Sequence, residues 1–453
     1  MTLLDRESLA LLDGALARLE EGFRHLPDPA RAPTDPRLPE VLDEVALRLQ
    51  DNLPYFHPLY AGQMLKPPHP VARLAYMLAL TLNPNNHALD GGRASSRMER
   101  EAVASLARMI GWDTHLGHLT GGGTMANLEA LWVAGRLRPG ERILASAQAH
   151  YTHERITSVL GVPFASVPTD GWGRMDPGAL RRMLAEGGAG TVVATLGSTA
   201  LGAVDPLPEI LALQQAFGFR VHLDAAYGGY FGLADNLAPP ARQSFDRMAG
   251  ADSVVIDPHK HGLQPYGAGA VLFRDPSVGA LYRHDSPYTY FTAADLHLGE
   301  ISLECSRAGA AAVALWATQR LLPLVGGGEF ARMLGKSRAA ALAWHQRLQG
   351  DARVLAGLTP ELDIVVWAVM APGVAVASRR ARAIFERAAR GDLHLALAEL
   401  PPAIVDPERR LARDRPTLTC LRSVLMKPEH LDWLPELWHR LDEATTAVLA
   451  GET

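Results

Sequence analysis

Lysine and cysteine are both scarce in this chain. Only four of its 44 basic residues are lysines, and Cys305 and Cys420 are its only cysteines. Two cysteines make no disulfide framework and are typical of a reducing compartment. The longest apolar run, near residues 74–82, is too short to span a bilayer. The first residues lack the basic-then-apolar pattern of a signal peptide, so we expect a cytoplasmic protein.

The composition is typical of a soluble globular protein, with 48% hydrophobic and 21% charged residues. A net charge of −5 gives no indication of nucleic acid or an anionic membrane as a partner. The length of 453 residues exceeds one ordinary domain. We therefore predict three parts: a helical N-terminal arm (1–60), a large domain (61–325) and a smaller α+β domain (326–453).

Apolar strands alternate with helical stretches in the large domain, which predicts a mostly parallel sheet flanked by helices. The predicted strands are Arg142–Ser146, Thr191–Leu196, Arg220–Leu223, Ser253–Ile256 and Ala268–Phe273. In the smaller domain, residues 330–348 and the chain from about 428 read as helices. Residues 362–369 and 417–425 read as strands.

Lys260 is notable because the chain uses arginine almost wherever it needs a positive charge. A guanidinium does not deprotonate in a protein, whereas an ε-amine can lose its proton and attack a carbonyl. Lys260 follows Asp257-Pro258-His259, directly after a predicted strand. A solvated loop lysine would have the same appearance, and this residue alone does not decide between the two interpretations.

Asp224 ends the preceding predicted strand in His222-Leu223-Asp224-Ala225-Ala226-Tyr227-Gly228-Gly229. Ligands of parallel sheets gather at the carboxyl ends of the strands. Asp224 and Lys260 could form an ordinary ion pair at this edge. They could also be the two groups that pyridoxal phosphate needs, a carboxylate for its ring nitrogen and an amine for its aldehyde.

These two motifs together resemble the paired signature of the pyridoxal-phosphate-dependent group II amino-acid decarboxylases, which have fold type I. The resemblance extends over roughly residues 50–310, with a weaker match near Arg422. The further matching motifs are Thr120-Gly121-Gly122-Gly123-Thr124-Met125-Ala126-Asn127, Ala149-His150-Tyr151-Thr152 and Ala194-Thr195-Leu196-Gly197-Ser198-Thr199. The resemblance implies decarboxylation of an L-amino acid to an amine and carbon dioxide, by a homodimer whose active sites lie at the subunit interface.

The resemblance assigns five residues to the cofactor ring. Lys260 would bind the cofactor covalently, and Asp224 would keep the ring nitrogen protonated. His150 would stack on one face of the ring and Ala226 would pack on the other, while Thr199 would lie near a cofactor oxygen. His150 could instead be a capped loop residue.

The glycine run that ends at Gly123 precedes a stretch with helical spacing. A helix N-terminus with glycines lets backbone amides approach a phosphate. The resemblance therefore implies that Gly123, Thr124 and His259 bind the cofactor phosphate. Thr124 could instead be a simple N-cap.

The substrate is the least determined feature of the sequence. By the resemblance, Gln63 and Arg422 line the substrate pocket, which predicts a small or acidic amino acid. An arginine on a strand is also a common surface charge. A loop after the lysine in the family presents a proton-donating tyrosine, for which Tyr288 and Tyr290 are candidates; packing is the alternative role.

Two features separate this chain from the common family pattern. Asp257 stands where the decarboxylases commonly have asparagine, and a carboxylate there would repel a phosphate unless protonated or turned away. The residues after Lys260 also resemble sphingosine-phosphate lyase, so a carbon–carbon lyase is the alternative function. A catalytically silent homologue that acts as a binding partner is a third reading, which a scan for cofactor absorbance would separate from the two enzymes.

Lys260 provides the first test. Lys260→Ala is expected to abolish turnover and the visible absorbance of covalently bound cofactor, which borohydride would otherwise trap. Lys260→Arg should fail equally, because a guanidinium cannot form the bond to the aldehyde. Retained turnover in either variant would contradict the cofactor assignment.

Overall fold

The alternating segments form a seven-stranded sheet in this computed structural model, which describes residues 4–28, 33–282 and 298–451. The strands are β1 (Leu116–Thr120), β2 (Arg142–Ser146), β3 (Phe164–Val167), β4 (Ala189–Thr195), β5 (Arg220–Asp224), β6 (Ser253–Ile256) and β7 (Gly269–Phe273). Their order is β1-β7-β6-β5-β4-β2-β3, and β7 alone runs antiparallel to its neighbours. All residues of β6 and β7 are buried, as expected for strands covered on both faces.

Helices pack on both sides of this large sheet. They are α3 (Pro70–Leu80), α4 (Leu89–Ile110), α5 (Gly123–Leu137), α6 (Thr152–Leu160), α7 (Pro177–Ala185), α8 (Leu207–Phe217), α9 (Pro239–Asp246) and α10 (Gly309–Leu321). Ala126, Ala130 and Val133 of α5 pack with Val255 and Val271 of the sheet. These small side chains bring the N-terminus of α5 close to the ends of the central strands.

A second, smaller sheet follows in the C-terminal part of the chain. Its strands are β8 (Val354–Leu355), β9 (Ile364–Val369), β10 (Ala396–Leu400) and β11 (Leu418–Val424), all antiparallel in the order β10-β11-β9-β8. The helices of this part are α11 (Glu329–Gln349), α12 (Val374–Arg390), α13 (Pro402–Val405) and α14 (His430–Leu449). Trp344 and Trp367 meet edge to face at 6.2 Å in the core between α11 and this sheet.

The N-terminal arm consists of α1 (Arg6–Gly22) and α2 (Leu38–Leu49). Neither helix contains a buried residue. Leucine and valine side chains of α2 are largely exposed, namely Leu38, Val41, Leu42, Val45, Leu47 and Leu49. The arm therefore contributes little to the core of the single chain.

The predicted fold class is confirmed, because the large sheet is mostly parallel and flanked by helices. Two strands begin and end at the predicted residues, Arg142–Ser146 and Ser253–Ile256. The strands β1, β3 and β10 and the helix α12 were not predicted from the sequence. The domain boundaries at residues 60 and 325 stay a prediction. Across the three described ranges, no helix is both long enough and apolar enough to cross a membrane.

Candidate active site

A cavity of about 540 Å³ opens at the carboxyl ends of β4, β5 and β6. This is the edge at which parallel sheets bind ligands, because the loops that leave adjacent strands converge there. All eight residues that the sequence assigns to the cofactor line this cavity: Gly123, Thr124, His150, Thr199, Asp224, Ala226, His259 and Lys260. Segments more than 100 residues apart in the chain are therefore brought to one site.

Asp224 is the last residue of β5, and it is buried. Its Oδ2 lies 2.9 Å from His153 Nε2, and its Oδ1 accepts a hydrogen bond from the Ala226 N–H at 3.1 Å. Burial alone would raise the pKa of Asp224, but the hydrogen bond and charge of His153, together with Lys260 and the Ala226 N–H, lower it below its ordinary value. Asp224 is therefore ionised at neutral pH.

Lys260 extends into the same cavity, where its Nζ lies 3.0 Å from Asp257 Oδ2. Burial would lower the pKa of the amine, yet Asp257 and Asp224 raise it above its ordinary value. The Asp257 carboxylate is turned towards the lysine, and its Oδ1 has no hydrogen-bond partner among the described residues. The Asp257 carboxylate therefore stabilises the protonated form of the Lys260 amine.

The other three lysines lie outside the cavity lining. Burial lowers the pKa of Lys66 to about 8 and that of Lys427 to about 7. Lys427 Nζ donates a hydrogen bond to the Tyr60 carbonyl at 2.6 Å. Lys336 is exposed on α11. Lys260 is therefore the only lysine of the chain with its amine in this cavity.

The glycine run begins α5, whose first turn faces the cavity. Gly122 has a φ of +145°, a conformation that favours glycine. A Cβ atom at Gly123 would lie 2.6 Å from Asp257 Oδ2, so any other residue there would displace the Asp257 carboxylate. The N-cap is Gly122, without a side-chain hydrogen bond, so the N-cap reading of Thr124 is wrong. The amides of this first turn have no partner within the helix and can bind an anion.

His259 lies between the lysine segment and the glycine run. Its Nδ1 is 2.7 Å from the Ala268 carbonyl, and its ring stacks on Tyr266 with centroids 4.5 Å apart. Burial lowers the pKa of His259, although the Asp257 carboxylate opposes the shift. Because Nδ1 is occupied by the carbonyl, the ring is oriented with Nε2 on the side of Asp257, 3.6 Å from its Oδ2.

His150 lines the cavity and also contacts the start of α6. Its Nδ1 lies 2.8 Å from Thr152 Oγ1 and accepts a hydrogen bond from the Thr152 N–H at 3.3 Å. Burial lowers the pKa of His150, so the imidazole is neutral at neutral pH. His150 therefore bonds the backbone at the start of α6 and also lines the cavity. Its stacking on the cofactor ring stays a prediction.

Glu304 was not identified from the sequence, and it lines the cavity at the glycine run. Both carboxylate oxygens accept the Gly121 N–H, at 2.8 and 3.1 Å. A second carboxylate therefore lies beside the helix N-terminus, in addition to Asp257. His153 and Tyr266 were also not predicted as site residues. His153 lies outside the matching motifs, and Tyr266 lies in the segment after Lys260 but was given no role there; their contacts arise only from the folded chain.

The two predicted substrate residues lie outside the cavity lining. Gln63 is exposed. Arg422 is buried on β11, and its guanidinium donates hydrogen bonds to the carbonyls of Thr199 at 2.6 Å and Ala200 at 3.2 Å. Arg422 thus holds the loop that carries Thr199, and its contact with a substrate stays a prediction. Tyr288 and Tyr290 lie outside the described residues.

The site fits pyridoxal phosphate by the chemistry of its groups. A single lysine amine, an ionised buried carboxylate and a glycine-rich helix N-terminus line one cavity. These are the groups that the aldehyde, the ring nitrogen and the phosphate require. The Asp257 and Glu304 carboxylates also lie beside the N-terminus of α5, so they add negative charge where a phosphate would bind.

Comparisons with known proteins agree with this fit. Residues 137–354 match the family model described as the pyridoxal-dependent decarboxylase conserved domain. The L-tyrosine decarboxylase of Enterococcus faecium is 28% identical over 459 residues, covering 77% of this chain and 74% of that protein. A probable L-aspartate decarboxylase of Halobacterium salinarum is 33% identical over 230 residues, which is 50% of this chain; the chain spans only 62% of that protein's length.

Solved structures share the fold over almost the whole chain. Mouse CSAD has a TM-score of 0.78 at 21% identity, covering 97% of this chain and 99% of its own. The tryptophan decarboxylase of Catharanthus roseus has a TM-score of 0.74 at 17% identity, covering 98% and 99%. The predicted fold type I and the predicted cofactor are confirmed. Residues 137–354 therefore carry a pyridoxal-dependent decarboxylase domain, and the chain is similar to amino-acid decarboxylases over most of its length.

Proposed function

We propose that this enzyme removes the carboxyl group of a small or acidic L-amino acid and releases the amine and carbon dioxide. The observation that carries the proposal is the presence of the Lys260 amine and the ionised Asp224 carboxylate in one cavity at the N-terminus of α5. The cofactor, when bound, supplies an electron-accepting ring that takes up the electron pair left by carbon dioxide.

The residues of the chain have separate tasks in this proposal. Lys260 would bind the cofactor covalently through Nζ, and the amide groups of Gly123 and Thr124 would hold the phosphate. Asp224 Oδ2, fixed by His153, would keep a proton on the ring nitrogen. His150 and Ala226 would confine the ring between them. The protein then decides which substrate bond breaks by the orientation that it imposes.

Asp257 would act on the proton of Lys260. Its Oδ2 is 3.0 Å from Nζ, within direct hydrogen-bonding distance. When the amine is displaced by a substrate, the carboxylate can stabilise its protonated form. This role explains why a carboxylate is compatible with the site although it lies near the phosphate end.

Arg422 supports the substrate part of the proposal. Its guanidinium is buried behind Thr199, which lines the cavity, and its hydrogen bonds at 3.4 Å or less go to neutral backbone carbonyls, including that of Gly62. A buried positive charge whose hydrogen bonds all go to neutral groups can attract an anionic ligand, in addition to the Asp363 carboxylate that already acts on it. The Halobacterium relative, a probable L-aspartate decarboxylase, is consistent with an acidic substrate. Gln63 is the second proposed substrate contact.

Two further proposals concern the proton donor, which rests on the family resemblance, and the cellular location. Tyr288 or Tyr290 would protonate the product carbon, and either Tyr→Phe variant should slow amine release while the cofactor remains bound. A cytoplasmic location is expected from the two free cysteines, of which Cys305 is exposed.

The His153–Asp224 pair gives a graded prediction. Asp224→Asn is expected to lower kcat about 1000-fold, because an amide cannot keep the ring nitrogen protonated in the transition state. His153→Gln should lower kcat about 10- to 100-fold, since it removes only the group that orients the carboxylate. Steady-state kinetics with saturating cofactor measures both effects.

His222→Gln is the matched control for this pair. His222 is also buried, and it bonds Ser253 and Asn127 rather than Asp224. It should lose stability without a comparable loss of kcat. An Asp224→Asn enzyme within tenfold of the wild type, about 1.4 kcal/mol, would show that this carboxylate is structural.

Product analysis against the twenty amino acids tests the substrate class and distinguishes decarboxylation from carbon–carbon cleavage. We expect kcat/KM for aspartate or glutamate to exceed that for tyrosine and tryptophan at least about tenfold. Arg422→Met should lower kcat/KM for the acidic substrate about 100-fold, and that for alanine much less. A clear preference for aromatic substrates, or equal losses for both substrates, would contradict the proposal.

We propose that the protein is a homodimer. The exposed apolar face of helix α2 supports this proposal. Leu38, Val41, Leu42, Val45 and Leu49 recur at helical spacing on one side of α2, and each is at least 45% exposed. A contiguous apolar helix face in water is unfavourable and marks a contact surface. A second copy of the chain is the partner that the family resemblance implies.

Leu42→Glu tests the homodimer. The substitution should weaken dimerisation at least about tenfold, because it places a charge in an apolar contact. Sedimentation or light scattering over a concentration series measures the change. Leu47→Glu is the matched control, since Leu47 is 65% exposed on the opposite side of the same helix. A wild-type monomer at all concentrations would refute the assembly.

A further inference from the structure

A short segment next to the small sheet, residues 361–363, is buried against the wall of the cavity. It directly precedes β9. Leu362 in its middle is fully buried and packs on two glycines of the large sheet's loops: a Cβ atom would lie 2.9 Å from Leu362 Cδ1 at Gly197 and 3.1 Å from it at Gly228. The close approach of this segment therefore depends on glycine in both loops.

Asp363, the last residue of this segment, is completely buried and joins two loops of the cavity. Tyr227 Oη donates a hydrogen bond to its Oδ1 at 2.5 Å. His261 Nε2 lies 3.2 Å from its Oδ2. The rings of Tyr227 and His261 also meet edge to face, with centroids 4.8 Å apart. The three side chains form one packed cluster between the two sheets.

The protonation states of Asp363 and Tyr227 follow from burial and from the groups around them. Burial would raise the pKa of Asp363, but His261, the Tyr227 hydroxyl and Lys66 lower it below its ordinary value. Burial lowers the pKa of His261, although Asp363 opposes that shift. Asp363 is therefore an ionised acceptor, and the phenol keeps its proton because burial and the adjacent carboxylate raise its pKa.

Both partners of Asp363 belong to segments that carry the proposed chemistry. Tyr227 follows Asp224 by three residues and itself lines the cavity, and His261 directly follows Lys260. We infer that Asp363 is a positioning residue, which fixes the Asp224 and Lys260 segments relative to each other from the small sheet. The inference rests on the proposed function, because it concerns the geometry of those two groups.

The backbone of Asp363 makes this link stiff. Its carbonyl accepts a hydrogen bond from the Leu425 N–H at 2.8 Å, so the residue is fastened to the end of β11 as well as to β9. A displacement of the small sheet would move Tyr227 and His261 together. Because a shift of about 1 Å in a reacting group can cost about 100-fold in rate, a link of this kind affects turnover without touching the substrate.

The test uses Asp363→Asn in the cofactor-loaded enzyme. An amide retains the shape and an acceptor for Tyr227 but removes the charge between the two segments. We expect kcat to fall about 100-fold with KM within about threefold. The pH midpoint of the visible absorbance of bound cofactor should fall by about half a unit, because a negative charge near the Lys260 segment is lost. Tyr227→Phe should shift the same midpoint. It replaces Asp363→Asn as the test variant if Asp363→Asn does not fold.

Glu361→Gln is the matched control from the same segment. Glu361 is also a buried carboxylate between the two sheets, but it bonds Arg174 at 2.9 Å and the Val204 N–H at 2.9 Å. It should lower the melting temperature while leaving the absorbance midpoint and kcat near the wild-type values.

Two outcomes would overturn the inference. One is an Asp363→Asn enzyme with a wild-type midpoint and a kcat within threefold. The other is an equal change in the Glu361→Gln enzyme, which would show a general loss of stability. The proposed function fails separately, if the wild-type protein binds no cofactor or releases no carbon dioxide.

Discussion

A hydrogen bond to a histidine and an ion pair hold an acid and an amine separately in the same cavity. Asp224 is held by His153 at 2.9 Å, and Lys260 by Asp257 at 3.0 Å. If Asp224 and Lys260 paired with each other, neither would be free for a ligand. Each pair offsets the desolvation of its members locally, which a buried charge requires. The adjacency of β5 and β6 brings the two pairs together, and the remaining features of the site are arranged around them.

The sequence was sufficient to predict the central strands and the residues that come together at the cavity. Lys260 and Asp224 stand out because a rare residue type and a carboxylate both follow short apolar runs, and parallel strands place such positions at one edge. β1 was missed because Gly117 and His118 interrupt its apolar pattern. β3 was missed because Ala165 and Ser166 are small and the strand is only partly buried, unlike the equally short but apolar β6. Local composition carries little signal for such strands.

Contacts between distant segments were beyond sequence reasoning. His153 meets Asp224 across 71 residues, and Asp363 meets Tyr227 across 136. Nothing in the local pattern around His153 or Asp363 differs from that of an ordinary polar residue. The same holds for Arg422: the sequence indicated a functional arginine near the site, but only the fold shows that its guanidinium holds the Thr199 carbonyl.

The scarcity of lysine has a practical consequence for covalent labelling. Aldehydes condense with exposed amines, and proteins with many surface lysines accumulate adducts that obscure the specific one. Here Lys336 is the only exposed lysine side chain, while Lys427 is buried and Lys66 partly so. Reduction of the loaded protein followed by peptide mass spectrometry should therefore give a nearly clean one-to-one stoichiometry per chain. The chain is well suited to counting active sites directly.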